Sequence, residues 1–186
     1  MNPEWRAALL VVLFAVWFIP FVVFFPKNRG KAVRKDTRAR WGIALQIIAM
    51  QAVLLHSPAT WARPLAVWRA AAGTAFGLAA GLLTWTAVLH LGKQWRVDAG
   101  LNADHELVQT GPYSFVRHPI YASMVCVLLM GVALAGTLPG WPIGVALFVV
   151  GIEIRVRAED ALLLERFGPR FAAWQKAVPA YIPLLR

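Results

Sequence analysis

The sequence predicts an all-α integral membrane protein with about five transmembrane helices, the last two forming a C-terminal helical hairpin. Three observations predict it. Of 186 residues, 59% are hydrophobic and only 15% charged, and the mean hydropathy of +0.59 lies outside the range of soluble globular domains. The apolar residues gather into runs long enough to cross or nearly cross a bilayer. The Lys and Arg residues fall almost entirely on one side of those alternating runs.

Residues 5–25 give a first apolar run, about 31 Å of helix at 1.5 Å per residue, with Pro20 as a point where it can kink. No small-residue cleavage site follows it, so it is expected to stay as a span rather than leave as a signal peptide. The loop 26–40 then holds Lys27, Arg29, Lys31, Arg34, Lys35, Arg38 and Arg40 against the single acid Asp36, and cannot enter lipid. A second, shorter run at 41–56 is closed by Ser57 and Pro58, with an extension toward Trp61 open. The third, 65–91, carries Gly73, Gly77 and Gly81 every four residues, a face on which another helix can approach closely. Packing within the chain is favoured for that face, hence a monomer, with a homodimer seam through the same glycines as the alternative.

The polar stretch 92–118 leaves the membrane. Runs at 120–135 and 143–154, separated by the breaker-rich Gly136-Thr137-Leu138-Pro139-Gly140-Trp141-Pro142, read as the hairpin. Its second arm keeps helical register through Arg155, Arg157, Glu159, Asp160 and Leu163 to Gly168-Pro169, carrying charge out of the bilayer. A short amphipathic helix over 170–177 follows, ended by Pro179 and Pro183. The chain thus divides into three N-terminal spans, 1–91, and a motif-bearing region, 92–186.

Seven basic residues in the 26–40 loop, three in 92–118 and six from Arg155 onward leave only Arg6, Arg63 and Arg69 on the other side. The positive-inside rule therefore predicts a multi-pass protein with its N-terminus non-cytoplasmic and both polar segments cytoplasmic. The net charge of +10 is read as topological; no nucleic-acid partner is expected of a chain that is mostly apolar helix. The single cysteine, Cys126, allows no disulfide framework. His56 and His90, near span ends, take no role, and the four histidines have no metal-site spacing, so no metal is expected. Glycine-rich phosphate loops and nucleophile elbows are missing from the sequence.

Two segments hold the candidate chemistry. In the first, 105–121, Pro119 suits the first position of a helix and places Arg117 and His118 at its N-terminus, where free amides and the positive dipole end favour an anion. Tyr121, three residues on, shares the face of His118. In the second, on the emerging helix, Arg155 and Glu159 are four apart, as are Glu153 and Arg157. Each has a plainer reading: Arg117 and His118 as an interface marker, Arg155, Arg157 and Glu159 as a solvated helix face.

Taken together, HELVQTGPYSFVRHPIY at 105–121 and RVRAEDALLLERFGPRFAAWQKAVPAYIP at 155–183 resemble the C-terminal catalytic half of isoprenylcysteine carboxyl methyltransferases and the related phospholipid methyltransferases. The resemblance implies a cytoplasmic pocket for S-adenosyl-L-methionine lined by His105, Glu106, Leu107, Val108, Tyr113, His118, Pro119, Ile120 and Tyr121 and closed by Glu159. It implies catalytic roles facing the acceptor for Arg155 and, more weakly, Arg117. The family's paired glutamates stand here as Glu159-Asp160, and Ser123 occupies a position that is often Gly. The implied partners are membrane lipids and a lipophilic small-molecule or lipidated acceptor bearing a carboxylate, thiol or amine. Two alternatives stand: an NADPH-dependent enzyme resembling sterol reductases, whose Asp-Glu-His-Arg-Cys-like run is replaced here by Arg157-Ala158-Glu159-Asp160-Ala161, and a noncatalytic membrane binding protein.

Overall fold

Apolar runs with breakers between them fold as helices because helix satisfies every backbone polar group without water. The computed structural model describes residues 3–24, 32–54, 63–135 and 140–182. Among the described residues it has six α-helices, α1 (Pro3–Phe24), α2 (Ala39–Leu54), α3 (Val67–Leu91), α4 (Pro119–Leu134), α5 (Gly140–Phe167) and α6 (Pro169–Ala177). Each expected helical run is thus a helix. Lys27, Arg29, Lys31, the 55–62 connection with His56, Ser57, Pro58 and Trp61, residues 136–139 and Pro183 lie outside the described residues. The boundaries have local causes. Gly92 and Gly168 take positive φ, 50° and 53°, and stop α3 and α5, and Pro169 then opens α6 at its first turn.

Helix directions follow from the close contacts. A Cβ on Gly77 would strike Leu13 and Met130, one on Gly81 would strike Val16, and one on Gly73 would strike Leu134. Hence α1 runs parallel to α3, and α4 runs antiparallel to it. The glycine face of α3 is filled by this chain's own helices, the packing within the chain that the sequence reading favours over a homodimer seam. A second glycine seam joins α2 to α5, where a Cβ on Gly42 would meet the Gly151 carbonyl at 2.5 Å and one on Gly144 would meet Val53 at 2.6 Å. The hairpin expectation needs correction. The backbones of α4 and α5 pack mainly on α3 and α2 respectively, rather than on each other. Their side chains meet through a shared core in which Tyr121 and Leu128 join Phe148, Ile152 and α2 residues Ala49 and Val53.

Among the described residues, two helices are long and apolar enough to cross a membrane, Glu4–Phe24 and Val67–Gln94, while α2 and α4 are shorter apolar helices. Outward-facing Val11 and Val12 of α1 and Leu78 and Leu82 of α3 are exposed, an arrangement that suits lipid and not water. Arg6 and Arg69 donate to the carbonyls of Leu134, and of Ala133 and Val132, which closes the C-terminus of α4 with positive charge. The chain is not purely α: β1 (Arg34–Lys35) pairs antiparallel with β2 (Gly100–Leu101). This ladder ties the basic loop over the 92–118 segment.

Candidate functional site

The N-terminus of α4 and the charged half of α5 converge. His118 caps α4, its amide donating to the Ala180 carbonyl at 2.7 Å, and the amide of Arg117 donates to Pro179 at 2.8 Å, so the C-terminal segment is laced onto the site. Asp160 is the hub. It accepts from Arg117 Nη2 at 3.0 Å, from Gln175 Nε2 at 2.9 Å and lies 2.8 Å from His118 Nε2. The other ring nitrogen of His118, Nδ1, lies 3.4 Å from Glu159 Oε2, and the Tyr121 hydroxyl donates to Glu159 Oε1. Burial by itself would lower the pKa of His118, but the carboxylates of Asp160 and Glu159 on both nitrogens outweigh it and lift it to about 9. Burial likewise opposes ionisation of Asp160, and His118 and Arg117 reverse that and hold its carboxyl below the usual range.

A polar chamber of about 120 Å³ lies beside this hub. His105, Glu106, Leu107, Val108, Tyr113, His118, Ile120, Tyr121 and Glu159 line it, with Arg117 and Arg155. Pro119 does not: it is fully buried at the start of α4 and acts through the backbone. Arg117 touches the wall, and its Nη atoms donate to Asp160 and to the carbonyls of Gln175 and Val178, an anchoring geometry, while its Nε has no partner among the described residues. Burial lowers His105, aided by the nearby Arg166 charge, which keeps the ring neutral, and burial pushes the Tyr113 phenol up. His105 Nδ1 and Gln94 Oε1 are buried with no hydrogen-bond partner among the described residues.

Sequence reading missed part of this wall. Gln94, Trp95, Arg96, Asp98, Gly100 and Leu101 precede the motif, and Leu162, Leu163 and Trp174 follow it. Leu162 and Leu163 stand three and four residues after Glu159, so helical spacing alone would have found them. The Gly100–Leu101 roof needed the pairing with β1, which no local pattern announces.

A second, apolar chamber of about 720 Å³ adjoins the first. Its walls are Phe14, Trp17, Phe18, Phe21 and Val22 of α1, Ile43, Gln46, Ile47 and Met50 of α2, Ile120, Met124 and Val127 of α4, and Phe148 and Arg155 of α5. Trp95, Arg96, Ile120 and Arg155 line both chambers. Arg155 is buried at the junction, donating to Gln46 Oε1 at 2.9 Å and the Val97 carbonyl at 3.1 Å, with its guanidinium 4.7 Å from the centre of the Tyr121 ring. Among the described residues, no group of three or more His, Cys, Asp or Glu side chains is placed to hold a metal ion.

The chain is 26% identical over 147 residues to the cobalt-zinc-cadmium resistance protein CzcN of Cupriavidus metallidurans, covering 78% of this chain and 62% of that one. It is 32% identical over 84 residues to the protein-S-isoprenylcysteine O-methyltransferase of Schizosaccharomyces pombe, covering 45% and 36%. With the nickel-cobalt-cadmium resistance protein NccN of Alcaligenes xylosoxydans xylosoxydans it shares 36% identity over 81 residues, 43% and 37%. The chain therefore spans less than two thirds of the length of these relatives. The model of the isoprenylcysteine carboxyl methyltransferase family matches residues 73–165, half of the chain, from the glycine face of α3 through Glu159 and Asp160. The chain belongs to the isoprenylcysteine carboxyl methyltransferase family, whose members are membrane methyltransferases.

Proposed function

We propose that this protein transfers a methyl group from S-adenosyl-L-methionine to a lipophilic acceptor at the cytoplasmic face of the membrane. The observation that carries the reading is the meeting of a polar and an apolar chamber at Arg155. The polar wall fits a cofactor bearing an ammonium and a sulfonium. Glu159 and Asp98 supply carboxylates, Leu107, Val108 and Leu163 supply apolar surface, and the unpartnered His105 Nδ1 and Gln94 Oε1 offer hydrogen-bonding groups. When bound, S-adenosylmethionine supplies an electrophilic methyl group on sulfur.

The chain's own residues then hold, orient and exclude water. Tyr121 and His118 fix the Glu159 carboxylate, so its charge faces the chamber in one geometry. Arg155 holds the acceptor's head without reacting. The apolar walls keep water from the junction. A carboxylate or thiolate acceptor needs no strong general base, in keeping with the paired state of His118. The acceptor reaches the apolar chamber laterally from lipid, between α1 and α2, while the cofactor arrives from the cytosol. The excess of Lys and Arg on the loop and motif side supports an N-terminus outside and five helices across the bilayer.

The test is transfer of labelled methyl from S-adenosylmethionine into a membrane lipid extract, with identification of the product, alongside calorimetric titration with S-adenosylmethionine and with NADPH. Labelled lipid product and binding of the sulfonium cofactor alone are expected. Binding of NADPH instead would move the chain to the reductase reading, and binding of neither would make it a noncatalytic protein.

A further inference from the structure

Gln46 is out of place by composition. It sits in the middle of α2, an apolar helix, and is 7% exposed. A primary amide at that depth is costly unless both its oxygen and its nitrogen find partners. Arginine carries donors only, so the Gln46 oxygen must be the atom facing Arg155 Nη1 at 2.9 Å. That fixes the amide nitrogen on the other side, against the apolar chamber that Gln46 lines. Among the described residues the acceptor within reach of Nε2 is the Met124 thioether at 3.6 Å, a weak one. Arg155 shows the same shortfall: its Nε is buried with no partner among the described residues. Its side-chain contacts are an amide oxygen, a thioether, a backbone carbonyl and an aromatic ring, none of them a carboxylate.

One donor atom in each of two groups at the head of an apolar chamber, Gln46 Nε2 and Arg155 Nε, therefore lacks a strong acceptor among the described residues. We propose that Gln46 Nε2 binds the acceptor substrate directly, donating beside Arg155 to a headgroup that presents oxygen lone pairs, so that α2 supplies half of the acceptor's polar subsite. This rests on the methyltransferase reading and extends it to a residue outside the matched stretch 73–165. The substrate class that fits is a single-chain amphiphile with a carboxylate or comparable oxygen head. An ammonium head would set a cation against Arg155 and leave the amide donor unmet.

A plainer role, Gln46 as a brace that only holds Arg155, is separated by the side-chain amide proton resonances of Gln46 in the wild type, which dodecanoate then leaves unmoved, since Gln46→Glu adds a charge that weakens an anion on either reading. In Gln46→Glu a carboxylate accepts from Arg155 at least as well as the amide did, so the brace survives. The donor is lost and the local positive charge is cancelled. The experiment uses the detergent-solubilised full chain and reads the rise in melting temperature with added dodecanoate or dodecylamine, with and without S-adenosylmethionine. Dodecanoate is expected to stabilise the wild type and dodecylamine not. Gln46→Glu is expected to weaken dodecanoate at least tenfold while S-adenosylmethionine affinity stays within about twofold. Dodecanoate affinity unchanged in Gln46→Glu overturns the proposal, as does a wild type that takes neither amphiphile or prefers the amine. A wild type that binds dodecanoate but no S-adenosylmethionine defeats the methyltransferase reading alone. Whether or not Gln46→Glu folds, the side-chain amide proton resonances of Gln46 in the wild type decide: they move downfield with dodecanoate, and unmoved resonances overturn the assignment.

Discussion

The polar chamber takes its wall from two stretches of chain, 91–121 and 155–174, whereas the apolar chamber takes single faces from α1, α2, α4 and α5. The difference teaches where chemistry can be read. Charged and hydrogen-bonded groups must be placed to within fractions of an ångström, and the cheapest way to do so is a short loop feeding a helix, which leaves a contiguous motif. A chamber for an apolar chain needs only volume and apolar walls, which many residues supply equally well. Of its polar residues, Gln46 stands out only once the fold places it against Arg155.

The strongest break of this contrast is at Asp160. Asp160→Ala leaves the buried Arg117 and His118 without their shared counter-charge, and removing one partner of a buried ionic group destabilises by about 3 to 5 kcal/mol. A melting temperature in detergent close to wild type would show that the hub is not what ties the C-terminal segment down. The hub also sets a pH dependence. His118 has a raised folded-state pKa, so its contribution is complete below pH 6.5 and lost as pH rises through about 9. Asp160 has a lowered one, so its contribution is present above pH 3.8 and lost as pH falls through its folded value. Thermal melting followed from pH 6.5 to pH 9 is expected to show an alkaline decline that flattens in His118→Ala.

Next in size is the junction. Arg155→Ala is expected to lower methyl transfer on the order of a hundredfold while cofactor affinity changes by less than about threefold, because the loss falls on the acceptor side. Arg155→Lys should not rescue it, since one ammonium cannot reach Gln46, Val97 and the Tyr121 face together. Glu159→Ala reverses the pattern, weakening cofactor binding by roughly tenfold, the loss of one charge-assisted contact. Titration calorimetry and initial rates on both variants separate the chambers; equal effects on cofactor and acceptor in both would merge them.

The sequence made the helices legible, because apolar runs and breakers are local, and it made the motif side of the polar chamber legible because HELV, Arg-His-Pro-x-Tyr and Glu159 lie within two segments. Pairings at long range stayed hidden. The α2–α5 seam at Gly42, Gly144 and Gly151 was not seen because these glycines lack the four-residue rhythm that marked Gly73, Gly77 and Gly81. The resemblance implies Arg117 as a weaker acceptor-facing group, and no local pattern announces its partners, Gln175 and Val178, which lie about sixty residues away in sequence. The β1–β2 ladder joins residues of a basic loop that reads as solvated coil.

That ladder makes the smallest test, and a specific one. It roofs the polar chamber through Gly100 and Leu101 and is held from outside by Lys35 to Asp98 at 2.6 Å and by Arg34 to Glu165. Both pairs are largely exposed, and such pairs contribute about 1 kcal/mol or less. The chamber beneath holds about 120 Å³, and on the proposed reading the cofactor enters it past this roof. Weakening the roof therefore speeds both binding and release. Lys35→Ala should raise the association and dissociation rates of S-adenosylmethionine by a similar factor of about two to five and leave Kd nearly unchanged, with the difference from wild type shrinking at high salt. Stopped-flow binding at low and high ionic strength reads this directly. A change in Kd without a change in association rate would mean that Lys35 acts through Asp98 as part of the chamber wall and that the roof does not move.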